Sequence, residues 1–436
     1  MPLALGADVK PQATGWRAAL MTGACLSAIA LMVAFTIRPS GLLGDEEQYL
    51  YLVKGFFTGH PFENLHDMDG SLFLLRPLGY PLMLSMFYPV FHQHWELYPW
   101  LNAAFCAGLG MIAFALLRLR MDRGPALLVT LALLANPMIR FWSTNAYSDI
   151  PFTFFLLLFF YLYQTRRALN WLPLFAVFMV SLRTSGLPLA AAYGLALGFR
   201  KDWIRLGALS GLLAVYFGGQ QLWFGEVPGL QEYFRIHVQD SINTERVPLY
   251  ARMAHNFRSL IFTLLPSTFF YGGYALLQAS MMKSLLALAA SGGVAFLLMV
   301  AAGRSALWNG FIAGYFGVML VMRPEDLVNR ILIPLIPLAF LGAGRLAAVM
   351  GTLYFPRVRI ATLAGILVCA ADGVLSLAAY RKEFTPRDFG DVYRAGEAPS
   401  GGGTHGRDSR NDGDTEAPAS MNSQSRAPAG AIPESP

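Results

Sequence analysis

Carboxylates, guanidinium groups and prolines recur together at a few places in an otherwise apolar chain. Asp45 and Glu46 stand with Glu47 a few residues beyond the first hydrophobic run. Arg76-Pro77 leads into Gly79-Tyr80-Pro81, a cation on a stiff turn. Asp149 precedes Ile150-Pro151, and Arg330 closes the polar strip 323–330 just ahead of Ile331 and Pro334. Arg183 opens the tetrad Arg183-Thr184-Ser185-Gly186 inside a hydrophobic stretch. An acid can take the proton from an incoming hydroxyl or amine. A guanidinium fork can neutralise the charge that grows on a departing phosphate. Together they suit transfer of a group from a phosphate leaving group, with no nucleotide cradle if the donor is already anchored in lipid.

The elements that must position these groups are membrane helices. Hydrophobic residues are 55% of the 436 positions and charged ones 14%, against about 25% charged in soluble domains; the mean hydropathy is +0.45. The net charge of +6 comes from Lys and Arg in short loops, an orientation signal rather than a nucleic-acid footprint. Cys25, Cys106 and Cys369 lie apart in apolar runs and form no metal or redox spacing.

The run 16–37 reads as an uncleaved first span, with 1–15 as a cytoplasmic N-terminal segment because Lys10 and Arg17 precede it. The first external loop, 38–96, contains no run of about 20 apolar residues; 46–57 and 78–91 read as amphipathic helices on the membrane surface. Spans are expected at 97–117, 125–142 and 151–163, with Arg118, Arg120, Arg123, Arg166 and Arg167 on the inner side. The segment 170–199 is flanked by basic pairs and is too short for two full crossings. It reads as two short helices meeting in the bilayer at Arg183, whose charge there needs an anionic partner. A span at 204–224 leads to a second long external loop, 225–259, holding His237 and His255. The stretch 260–279 is ambiguous between crossing and lying on the surface. Further spans are expected at 284–302, 307–322, 331–348 and 360–379, and 381–436 reads as a disordered polar tail.

The ordered set Asp45-Glu46, Arg76-Pro77 with Gly79-Tyr80-Pro81, Asp149, the Arg183 turn and Arg330 before Ile331 resembles polyprenyl-phosphate-sugar-dependent glycosyltransferases of the GT-C fold, the group of protein mannosyltransferases and aminoarabinose transferases (glycosyltransferase families 39 and 83). The resemblance spans roughly 16–379. It implies an all-α integral membrane bundle and a catalytic unit over 16–380, with the site on the outer face of a bacterial inner membrane. It further implies a polyprenyl-phosphate-linked sugar as donor and a lipid-linked glycan, lipid A, polysaccharide or protein as acceptor. By the same resemblance Asp45 is the acid/base, Glu46 and Asp149 assist, and Arg76, Arg330 and Arg183 meet the donor phosphate.

Two departures matter. Leu75 stands where some relatives carry a metal-binding acid, and Ile331 stands where an aromatic residue is usual. No cofactor is required by the residues themselves; a divalent metal ion stays open, with His237 and His255 as weak candidate ligands and the His60, His66, Asp67, Asp69 group as a weaker one. Each residue also has a plain structural role open to it. Asp45-Glu46 can be a hydrated helix exit, Asp149 an N-terminal cap, and Arg76 or Arg330 an interfacial anchor. The rival from another class is a transporter or flippase of lipid-linked sugars, which ordinarily shows repeated halves that this chain lacks.

Overall fold

The computed structural model describes residues 45–58, 77–92, 94–224, 248–269, 281–322, 329–352, 360, 362–368 and 371–372. The first span, Arg76, His60, His66, Asp67, Asp69, His237 and the tail all lie outside the described residues. Within them every regular element is a helix. In chain order these are α1 (Asp45–Thr58), α2 (Gly79–Ser85), α3 (Tyr88–Phe91), α4 (Tyr98–Arg118), α5 (Arg123–Ala135), α6 (Pro137–Trp142), α7 (Asp149–Gln164) and α8 (Leu172–Leu182). They are followed by α9 (Gly186–Phe199), α10 (Trp203–Phe224), α11 (Leu249–Ser259), α12 (Leu265–Phe269), α13 (Met281–Ala302), α14 (Ala306–Val321) and α15 (Leu335–Thr352).

The fold is that of an all-α integral membrane protein. Trp95–Arg118 and Lys283–Ala302 are long and apolar enough to cross a bilayer. The outer surface of α10 presents Ile204, Val215 and Leu222, and that of α13 presents Leu285, Phe296 and Met299. A water-soluble surface rarely gathers such side chains; hydrocarbon solvates them. Inside, α9 packs on α14, with Gly310 and Gly314 against Ala192 and Pro188. Small residues let the two backbones approach, which is how helices associate where no hydrophobic force separates them from lipid.

The α1 sequence buries Glu46, Tyr49, Leu50 and Val53, one stripe at i, i+3, i+4 and i+7. A carboxylate thus belongs to the packed face of a helix read from the sequence as amphipathic. The surface segment expected at 78–91 is two short helices, α2 and α3, broken at Met86 and Phe87. The span expected as one piece over 125–142 is also two helices. Asn136 turns extended ahead of Pro137 (ψ 129°), and its side chain accepts from the Met138 and Ile139 amides. Proline excludes the helical conformation for the residue before it, and Asn is a favoured cap. The long loop expected over 225–259 is helical in its last part. There α11 runs through a π-helical turn, Leu260–Leu264, into α12, so the described part of 260–279 continues that helix.

Helices α4 and α7 lie side by side and point the same way. At their N-terminal ends Asn102 Nδ2 donates to the Tyr147 carbonyl; at the other ends Leu116, Leu117 and Gln164 line one cavity. The return between them is α5 and α6. Of the acidic and basic groups singled out in the sequence, Glu46, Asp149, Arg183 and Arg330 gather at the first of these two ends.

Candidate functional site

The site is built on the connection 143–148, which joins α6 to α7 and carries Asp149 on its last step. Three side chains hold it, two of them by its backbone. Glu46, 1% exposed, accepts the Ala146 amide at 2.5 Å through Oε1. Asn102 on α4 donates its amide group to the carbonyls of Asn145 (2.5 Å) and Tyr147 (2.6 Å). Tyr49 on α1 lies 3.2 Å from Ser148 Oγ, hydroxyl to hydroxyl. A buried loop must satisfy its own polar backbone, and side chains drawn from distant parts of the sequence do so here.

Tyr80 on α2 ties these supports together. Its hydroxyl donates to Asn102 Oδ1 at 3.2 Å, and its ring meets Tyr49 edge-on with centroids 4.9 Å apart. Burial, with the neighbouring Tyr49 and Glu46 charges adding to it, pushes the Tyr80 phenol well above its ordinary value near 10.0. It therefore keeps its proton and stays a donor.

Asp149 is 1% exposed. Neither of its oxygens has a hydrogen bond of regular geometry; guanidinium groups compensate its burial instead. Arg183 forms an ion pair through Nη1 to Oδ1, and Arg330 approaches Oδ2 with Nε at 3.6 Å. The second separation is beyond hydrogen-bond reach. Arg330 is oriented by aromatic faces, with Tyr147 4.7 Å and Trp142 5.5 Å from its guanidinium carbon. The two cations keep 15% and 18% of their side-chain surface, so the cluster opens on the arginine side.

Local sequence explains how each arginine arrives. Arg183 ends α8 in extended backbone (φ −160°, ψ 142°), which throws its side chain off the helix axis. Gly186 begins α9 only because it has no Cβ: one placed there would strike the Met179 carbonyl and come within 2.6 Å of the Val180 nitrogen. Gly79 similarly lets α2 rest on the backbone of Ser181, two residues before Arg183. Arg330 sits on the 3-10 turn Asn329–Leu332, whose Ile331 carbonyl accepts from Tyr315 Oη of α14 at 2.7 Å.

Of the residues singled out in the sequence, the structure brings together Glu46, Asp149, Arg183 and Arg330. Asp45 is the first residue of α1, and its side chain lies outside what is described. Arg76 and His237 lie outside the described residues; His255 is exposed on α11. Among the described residues no group of three His, Cys, Asp or Glu side chains could hold a metal ion. Sequence reasoning named Tyr80 only as part of the Gly79-Tyr80-Pro81 turn and passed over Tyr49, Asn102, Trp142, Tyr147 and Tyr315. Tyr49 alone carried a signal, one helical turn from Glu46 and so on its face.

No family model and no curated protein matches the chain. Among solved structures it is similar to ArnT from Cupriavidus metallidurans, crystallised bound to undecaprenyl phosphate. The identity is 13% and the TM-score 0.46, over 84% of this chain and 76% of that one.

Two guanidinium groups, each keeping some exposed surface, face one carboxylate. Such groups can meet an anion without removing the acid that orders them. The acid faces both cations, so its work is to aim them.

Proposed function

We propose that this protein is a membrane glycosyltransferase of the GT-C type, moving one sugar from a polyprenyl phosphate to an acceptor on the outer face of a bacterial inner membrane. The acceptor class is a lipid-linked glycan, lipid A, a polysaccharide or a protein. The observation that carries the reading is the convergence of Arg183 and Arg330 on the buried Asp149. A donor phosphodiester bears a negative charge, and the planar fork of a guanidinium suits phosphate oxygens. When the bond from the anomeric carbon to phosphate oxygen breaks, its electron pair stays on that oxygen and the charge on phosphate rises. Fixed guanidinium forks with little exposure stabilise that charge more than water does. Arg76, the residue before Pro77 in the sequence, is assigned by the resemblance as a third phosphate contact.

Asp45 is assigned the role of base. It takes the proton of the acceptor hydroxyl or amine as that group attacks the anomeric carbon. Glu46, turned into the packed face of α1 and bonded to the Ala146 amide, positions the start of that helix against the Asp149 loop. A divalent ion, if one takes part, would be held by residues outside the described cluster.

The test is transfer in proteoliposomes loaded with polyprenyl-phosphate-linked sugars, with movement of the lipid across the bilayer followed in parallel. Asp45→Asn is expected to keep the fold and abolish transfer. Arg330→Ala is expected to lower kcat/KM about 10²-fold, the scale of losing one charge-stabilising donor. Wild-type turnover in Asp45→Asn, or lipid movement without transfer in the unaltered protein, sinks the proposal.

A further inference from the structure

A second polar cavity lies at the opposite ends of α4 and α7, about 24 Å from Asp149 along the 16 residues of α7. It is open on one side, and its inner part, about 30 Å³, has room for about two water-sized groups, so that part of a phosphate can enter while the rest stays at the mouth. Its polar lining is Arg120, Arg345, Gln164 and Trp308, set among Leu117 and Leu341. Among the described residues no carboxylate lines it. Three of those four side chains can only donate, and glutamine can do so as well.

The donors are built in rather than scattered. Arg345 is buried on α15 and gives Nη1 to the carbonyls of Val300 (3.1 Å) and Ala301 (3.2 Å), closing the C-terminal end of α13. Gly303, at φ +55°, passes close by: a Cβ there would stand 2.6 Å from that nitrogen. Its other nitrogens make no hydrogen bond or ion pair among the described residues. Arg120 stands at the exposed rim and repels Arg345. Trp308, 3% exposed and tilted against the Phe160 ring, buries an indole N–H that meets no acceptor among the described residues. Two like charges and a buried orphan donor around one opening are costly unless an anion supplies what is missing.

We propose that this cavity is a binding site for a phosphate group, the headgroup of an anionic phospholipid or free phosphate, distinct from the cluster around Asp149. A basic pocket between membrane helices on the inner side suits anionic headgroups. The neighbouring Arg118 donates to the Met121 carbonyl at 2.7 Å and holds the turn that carries Arg120.

The experiment uses the full-length protein in detergent. Native mass spectrometry counts retained phosphatidylglycerol, and equilibrium binding follows radiolabelled inorganic phosphate. Arg120→Ala removes a rim charge, and Trp308→Phe removes the N–H while keeping the ring on Phe160. Each is expected to weaken binding about tenfold, the loss of one charge-assisted or buried donor. Retained phosphatidylglycerol that falls in both variants supports the site with a lipid source. Saturable phosphate binding that falls in both, with no retained lipid, supports it with a soluble source. If either substitution leaves the affinity for both probes intact, or neither probe binds the unaltered protein, the site is wrong.

Discussion

The cluster around Asp149 is an electrostatic bargain made at one residue. Removing a carboxylate from water costs several kcal/mol unless cations and hydrogen bonds replace the lost hydration. Arg183 and Arg330 supply that replacement, and Asp149 in return keeps two guanidinium groups from repelling each other apart. Asp149→Asn should therefore destabilise the protein by about 3 kcal/mol, because it breaks the buried ion pair with Arg183 and removes the charge that Arg330 faces. Arg183→Gln alone should cost a similar amount, while the double substitution should cost clearly less than the sum, as coupled partners do. Thermal unfolding of the purified variants reads this out, and simple additivity would mean that the ion pair does not bind the two residues energetically. The acids and cations of this site were legible in the sequence because charge is rare in apolar runs and so stands out. Trp142, Tyr147 and Tyr315 were not, since an aromatic residue in a membrane helix reads as packing until its ring is found under a guanidinium or its hydroxyl on a carbonyl.

At the scale of elements, the site depends on breaks in helices more than on the helices. The 183–185 turn, the Asn136-Pro137 break and the 3-10 turn at Asn329–Leu332 each redirect the chain toward the same buried loop. Gly186 is the tightest of these joints, since its missing Cβ is replaced by the backbone of Met179 and Val180. Gly186→Ala forces α8 and α9 apart and is expected to cost about 1–3 kcal/mol, the usual penalty of overpacking. Because Arg183 hangs on that joint, transfer should fall further than the lost stability explains. Measuring kcat well below the unfolding temperature separates the two effects; full kcat there would show that the joint does not aim Arg183. Prolines and basic clusters made most helix ends readable. The break at Asn136 escaped because apolar residues continue straight through it, and hydropathy alone does not register a cap. The run of α11 into α12 escaped for the converse reason, as a polar face and a π turn made one continuous helix look like a loop and a span.

At the scale of the molecule, the parallel pair α4 and α7 separates two differently charged ends. One end gathers Glu46, Asp149, Arg183 and Arg330; the other gathers Arg118, Arg120, Arg166 and Arg167 without a buried acid. Lys and Arg in short loops favour the cytoplasm, so the second end should face inward and the first outward. A sugar donor carried by a lipid can then reach Arg183 and Arg330 from the bilayer while the acceptor enters from the water. Sidedness can be read by cysteine labelling in a background with Cys25, Cys106 and Cys369 replaced by serine. His94→Cys, at the exposed start of the turn before α4, should react with an impermeant maleimide in intact spheroplasts. Arg167→Cys, exposed just beyond the end of α7, should react only after the membrane is opened. The two positions flank the same pair of helices, so equal labelling from one side would place both ends in one compartment. The carboxylate and its two arginines would then have no outward-facing acceptor to serve.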